Sequence, residues 1–226
     1  MTTLDDLATQ LAVMLDRNNE DEFPTSVRYW CVNRAVYEIV RMEQCPWGNF
    51  YTTVIWPAGT SSQPLTFFDQ YAYRIEAMAY DMAVTSLGGS DTDARVVSLA
   101  RLSPEDRLVY TRDTYPAATE EQLPEAFSQI GGLLFLLPPP NEQMTLKAVG
   151  RKNVAELALG TDHNEITDDT PEAVLWLAAT RALPFFPGET GIESVIYQEA
   201  RKNKTELAVR YARAQDSHRL RDELKV

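Results

Sequence analysis

Two histidines and two cysteines bound the chemistry open to this chain of 226 residues. His163 lies in GTDHNEITDD, with Asp162, Glu165, Asp168 and Asp169 around it. An imidazole among carboxylates is the material of a divalent-metal or acid–base site. The spacing matches no recognised ligand pattern, however, and the same residues suit a polar turn ahead of a helix cap. Asp91-Thr92-Asp93 offers two hard oxygen ligands, but in a Gly/Ser loop where such pairs are common. His218 falls in a charged terminal helix and reads as solvated. Cys31 and Cys45 have no histidine close in sequence to activate them, and they read as free thiols of a reducing compartment. There is no G-x-S-x-G, and no glycine-rich loop between a strand and a helix that would cradle phosphate. The residues thus nominate no catalytic group, no metal ligand and no cofactor. The alternative from a different class is a cytosolic metal-dependent hydrolase built on the acids of 162–169.

The elements that would position such residues follow from periodicity. Leu4, Leu7, Leu11 and Leu15 recur at helical spacing behind Thr3 and Asp6, which can cap a helix start. A second helix is predicted over 25–42, with Val32, Val36, Ile39 and Val40 on its core face and Trp30 and Tyr37 widening it. The period then changes. FYTTVIW (50–56), QPLTFFDQY, YRIEAMAYD (73–81) and VVSLARLS (96–103) read as extended, with Tyr73, Ile75, Ala77 and Ala79 on one side of the third. Ser103-Pro104-Glu105-Asp106 opens a short helix to about 112. A three-stranded meander follows over 125–151, turning first at Gly131-Gly132 and then at Pro138-Pro139-Pro140. Thr170-Pro171-Glu172 starts a helix to Leu183, and a last helix runs over 189–214 before the charged tail HRLRDELKV. Strands cluster rather than alternate with helices, so the fold class is α+β. The expected organisation is a helical bundle from the N- and C-terminal helices, 1–45 plus 168–226, with an inserted antiparallel β lobe at 46–167.

Charge is unevenly spread. The net charge is −12, made of −16 over residues 1–200 and +4 over 201–226. The body repels nucleic acid, and the basic end either seeks an acidic surface or is a solvated helix end that suits the helix dipole. No basic–aromatic interleaving supports sequence-specific reading of nucleic acid. No apolar run nears 18 residues, so no membrane span is expected, and the acidic start MTTLDDLATQ predicts no signal peptide.

The layout resembles a known family. The quoted features are CVNRAVYEIVR (31–41) in the second helix, YTTVIWPAG (51–59), the extended QPLTFFDQY, LLFLLPPP (133–140) with its return strand, PEAVLWLAATRAL, and YQEARKNKTELAVRYARA. Together, over nearly the full chain, they look like the head–tail connector or adaptor proteins of tailed bacteriophages. Two departures are visible. The return strand carries Ala148-Val149-Gly150 where relatives often have an aromatic, and Phe127-Ser128-Gln129-Ile130-Gly131 matches only partly the segment that precedes LLFLL in relatives.

The resemblance implies a structural virion protein of the neck, assembled in the host cytoplasm. It implies a homo-oligomeric ring, usually a dodecamer, beneath the portal protein, completing the head and docking a tail or nozzle protein while DNA passes through without specific binding. Another neck or tail-completion ring protein is the nearest alternative. Under this reading the cations Arg201, Lys202, Lys204, Arg210, Arg213, Arg219, Arg221 and Lys225 are candidates for the portal interface. Leu134 and Leu136, which share one face of a strand apolar on both faces, are candidates for a subunit interface. A strand buried wholly in its own domain is the other reading of the same residues.

Overall fold

The computed structural model describes residues 1–42, 45–85, 92–107, 123–186 and 190–223. Helices stand at both ends and strands in the middle, so the α+β class with a β lobe holds. The chain divides into a helical unit, Met1–Gly48 with Val154–Val226, and a β unit, Asn49–Asn153.

In the helical unit, α1 (Leu4–Met14) starts on a capping box: the Asp6 N–H donates to Thr3 Oγ1 at 3.2 Å, and the Thr3 N–H donates to the Asp6 carboxylate at 3.0 Å. Helix α2 (Thr25–Val40) starts after Pro24. The short α3 (Glu165–Asp169) is capped by Asn164, and α4 (Pro171–Ala182) begins with proline at its first position, where a missing N–H costs nothing. The last helix, α5 (Thr190–Glu223), runs through most of the segment expected to be a tail. Leu4, Leu7, Leu11, Val32, Val36, Ile39, Val174, Ala178, Ile196, Ala200, Leu207 and Tyr211 meet in one core. Ile192, expected on the same stripe, is exposed.

Residues 154–167 fold with this helical unit, not with the β lobe to which the sequence reading gave them. Leu157 and Ile166 are buried in the helical core. The first turn of α1 donates to the same segment, Leu4 N–H to the Asp162 carbonyl and Asp5 N–H to the Gly160 carbonyl, both at 2.8 Å.

The β unit holds two four-stranded sheets. The first has the order β1 (Asn49–Trp56), β8 (Met144–Lys152), β3 (Ala72–Thr85), β4 (Thr92–Ser98). The second has the order β2 (Ser62–Pro64), β7 (Leu133–Leu137), β6 (Ala126–Ile130), β5 (Ala100–Leu102). The predicted meander is therefore broken. Strands β6 and β7 form the hairpin, with a positive φ at Gly131 that a primed turn demands. After the prolines, β8 pairs instead with β1 and β3 of the other sheet. The 96–103 stretch is likewise two strands: β4 pairs with β3, whereas β5 pairs in parallel with β6, so the lobe is not purely antiparallel. Of the helix expected over 103–112, residues 104–107 are helical and the remainder lies outside the described residues.

Strand β3 departs from simple alternation. Its register against β8 shifts between Ile75 and Ala77, so Ile75, Met78 and Tyr80 point into the core while Ala77 does not. The Gln129 side chain serves the irregular backbone: its Oε1 accepts from Ile75 N–H at 3.0 Å and its Nε2 donates to the Tyr73 carbonyl at 2.8 Å. Trp56, Phe68, Phe127, Leu134, Leu136, Leu146 and Ala148 complete the core.

Candidate assembly surfaces

The acidic segment around His163 is the first candidate for chemistry, and its carboxylates are occupied by backbone and neighbours. Asp162 accepts from Leu159 and Ala158 N–H at 2.8 and 2.9 Å, and these bonds hold its carboxyl below the usual range. Asp168 accepts from Thr2 N–H at 2.6 Å, which lowers its pKa, and lies 3.0 Å from His163 Nδ1. Asp169 accepts from Arg210 at 2.9 Å. Glu165 stands in the first turn of α3, where a carboxylate suits the helix dipole. These residues fasten α1, α3 and α5 to one another. Among the described residues no group of three or more His, Cys, Asp or Glu is arranged to hold a metal. Asp91 lies outside the described residues.

Leu134 and Leu136 are 0 % exposed within the single chain, packed in the core of the β unit. The expectation that a neighbouring subunit covers them is corrected: the two sheets of the lobe bury that face between themselves. The outward face of β7 is Leu133, which is exposed, and Phe135, whose ring lies under the Arg107 guanidinium at 3.6 Å. Exposed apolar residues of the lobe include Tyr51 (66 %) and Ile55 (57 %) on β1 and Val96 (57 %) on β4; Val149 of β8, directly opposite Tyr51, is also exposed.

The basic residues of the last helix divide into two groups. Lys202 pairs with Glu199 at 3.5 Å, Lys204 with Glu38 at 2.6 Å, and Arg210 with Asp169. Arg201 and Arg213 are exposed. Arg219 and Arg221 belong to α5, but their side chains lie outside the described residues, as does all of Lys225.

Lys204 also belongs to a site that no local stretch of sequence announces. A groove of about 600 Å³ opens between α2, α4 and α5, lined by Trp30, Tyr37, Glu38 and the cations Arg34, Arg41, Arg181 and Lys204. Glu38 lines it and accepts from Arg181 at 2.7 Å and from Lys204 at 2.6 Å. Burial pushes the Glu38 carboxyl up, but the two cations outweigh it and hold the group below its ordinary value. Arg34 lies over the Trp30 ring at 5.5 Å, and Phe185 meets that ring edge-on. Trp30, expected to widen the core face of α2, is 41 % exposed, so it belongs to the surface. A second, smaller groove of about 300 Å³ lies where the start of α4 meets α5, with Asp169, Glu172 and Glu206 against Arg210.

No described helix is long and apolar enough to cross a membrane. No curated protein matches the sequence significantly. The SU10 adaptor protein family matches over residues 2–221, nearly the whole chain and both units, and the chain therefore belongs to this family of phage adaptor proteins, as its resemblance to head–tail connectors implied.

Proposed function

We propose that the protein is a structural, non-catalytic component of the virion neck that forms a ring between the portal and the tail. The ring, twelvefold in the reading the connector resemblance favours, completes the packaged head and leaves a passage for DNA. The observation that carries this is the match to an adaptor family across residues 2–221, which includes both units and α5. The acids of 162–169 support it in a second way, since Asp162 and Asp168 accept backbone N–H groups and Asp169 pairs with Arg210 within the fold. Portal docking falls to the outward cations of α5, led by Arg201 and Arg213 and continued by Arg219, Arg221 and Lys225. An acidic body beside the passage would limit sticking of DNA phosphates.

The test is assembly on purified portal rings. Mixing the full chain with portal and weighing single particles by mass photometry should give a discrete increment of many chains per portal. Replacing Arg201 and Arg213 with Ala should weaken docking and flatten its salt dependence. A chain that stays separate from portal at all salt concentrations would sink the reading.

A further inference from the structure

We infer that neighbouring copies join through the two oppositely charged grooves of the helical unit, the cationic groove of one copy receiving the acidic flank of the next. The inference rests on the ring reading above and names the contact that would build it.

The argument is geometric. Among the described residues the cationic groove is lined by Arg34, Arg41, Arg181 and Lys204 and by the carboxylate of Glu38, in a protein whose net charge is −12. The smaller groove carries Asp169, Glu172 and Glu206 against one cation, Arg210. Helices α4 and α5 contribute to both. On α5, Lys204 and Glu206 are two residues apart, which at 3.6 residues per turn leaves about 160° between them. On α4, Glu172 and Arg181 are nine apart, about 180°. Lys204 and Arg181 therefore face a different flank from Glu206 and Glu172, although Arg210, also on α5, lies beside Glu206 in the smaller groove.

That separation bears on the symmetry of the contact. A two-fold dimer would have to bring both grooves of each copy to a single interface, which grooves on different flanks of the helices do not favour. A head-to-tail contact uses one groove from each copy and leaves the other pair open for the next, so it propagates and closes as a ring when the rotation allows. Nucleic acid is the competing occupant of a cationic groove. The acidic second groove, placed on a different flank of the same two helices, favours another copy of this chain. Trp30 and Tyr37 add rigid, half-apolar contact area at the rim of the cationic groove.

The experiment is a charge-reversal exchange with the full chain and purified portal rings, read by mass photometry. Arg34→Glu with Arg41→Glu, and separately Glu172→Lys with Glu206→Lys, should each raise the concentration for half-assembly by at least ~tenfold. Circular dichroism should show both variants folded, since all four side chains are exposed. An equimolar mixture of the two variants should assemble again, because every contact in an alternating ring then pairs opposite charges. Wild-type rings with reversed variants that assemble equally well would overturn the interface and leave the ring reading standing. Variants that fail alone and also fail when mixed would overturn it too. If the wild type forms no ring with portal, both readings fall. If Arg34→Glu with Arg41→Glu leaves the ring intact but abolishes binding of a fluorescent DNA duplex, the groove serves phosphate and the inference is rejected.

Discussion

Asn33 and Leu157, separated by 124 residues, exchange two buried hydrogen bonds: Asn33 Nδ2 donates to the Leu157 carbonyl, and the Leu157 N–H donates to Asn33 Oδ1, each at 2.9 Å. The pair lies where the chain re-enters the helical unit after the β unit, so one side chain of α2 fixes the returning strand end. Both Leu157 groups are buried in the fold. Asn33→Ala should lower the stability of the isolated chain by about 2–6 kcal/mol, two stranded polar groups at roughly 1–3 each. Asn33→Asp should cost at least as much as the alanine, because it buries a carboxylate and sets one of its oxygens against the Leu157 carbonyl. Urea denaturation checks both, and equal stability of the alanine variant and wild type would show that Leu157 finds other partners.

Gly150 of β8 is the next test. A Cβ there would stand 2.4 Å from the Arg74 carbonyl oxygen and 2.7 Å from the Phe50 ring. The carbonyl belongs to backbone and cannot swing away. Gly150→Ala should therefore destabilise the chain by about 1–3 kcal/mol, as overpacking does. Phe50→Leu should recover only part of the loss, because it removes the ring contact and leaves the carbonyl in place.

Leu136 separates a core role from an interface role. Leu136→Ala should cost about 2–5 kcal/mol in the isolated chain, the range for emptying a packed leucine site. The loss should not depend on protein concentration. A loss seen only at concentrations where copies associate would return Leu136 to an interface.

Glu38 makes stability depend on pH in a stated direction. Its carboxyl titrates lower in the folded chain than in the unfolded one, because Lys204 and Arg181 outweigh the burial that would raise it. A depressed folded pKa means that the unfolded chain takes up the proton first as pH falls. The contribution of Glu38 is thus present above the ordinary carboxylate range, near 4.5, and is lost as pH falls through the folded value. Glu38→Gln should flatten the fall in stability below about pH 4.5. Denaturant titrations of the two proteins at matched pH give the slopes, and parallel slopes would show that the two cations do not act on Glu38 in solution.

The cysteines give a chemical test of the helical core. Neither Cys31 nor Cys45 is in a disulfide, both are buried, and burial pushes the Cys31 thiol up to about 12. Thiolate is the reactive form, so both residues should resist Ellman's reagent at pH 8 and react at once when urea is added. Fast labelling of the native chain would show that the helical core opens on that timescale.

Much of the helical unit was legible in the sequence. Thr3 with Asp6 marks a helix start through a capping box, and Pro171 marks another through its fixed backbone angle, both settled within three or four residues. The leucine spacing of α1 marks its buried face for the same reason, because a helix repeats every few residues whatever surrounds it. The turn at Gly131 and the stop at the prolines after Leu137 were equally local.

By itself, then, the sequence determined the order of helices and strands, the α+β class, and a layout shared with phage adaptors. Only the tertiary structure decided which strands pair, that the shift in β3 turns Met78 and Tyr80 inward past Ala77, and that Leu134 and Leu136 are sealed in their own core. It alone brought Arg34, Arg41, Arg181 and Lys204 to one groove from positions up to 170 residues apart. The physical reason is one of range: a cap or a helical stripe is closed by neighbours in the chain, whereas a sheet partner or a charged groove is chosen by whichever distant segment the core brings alongside.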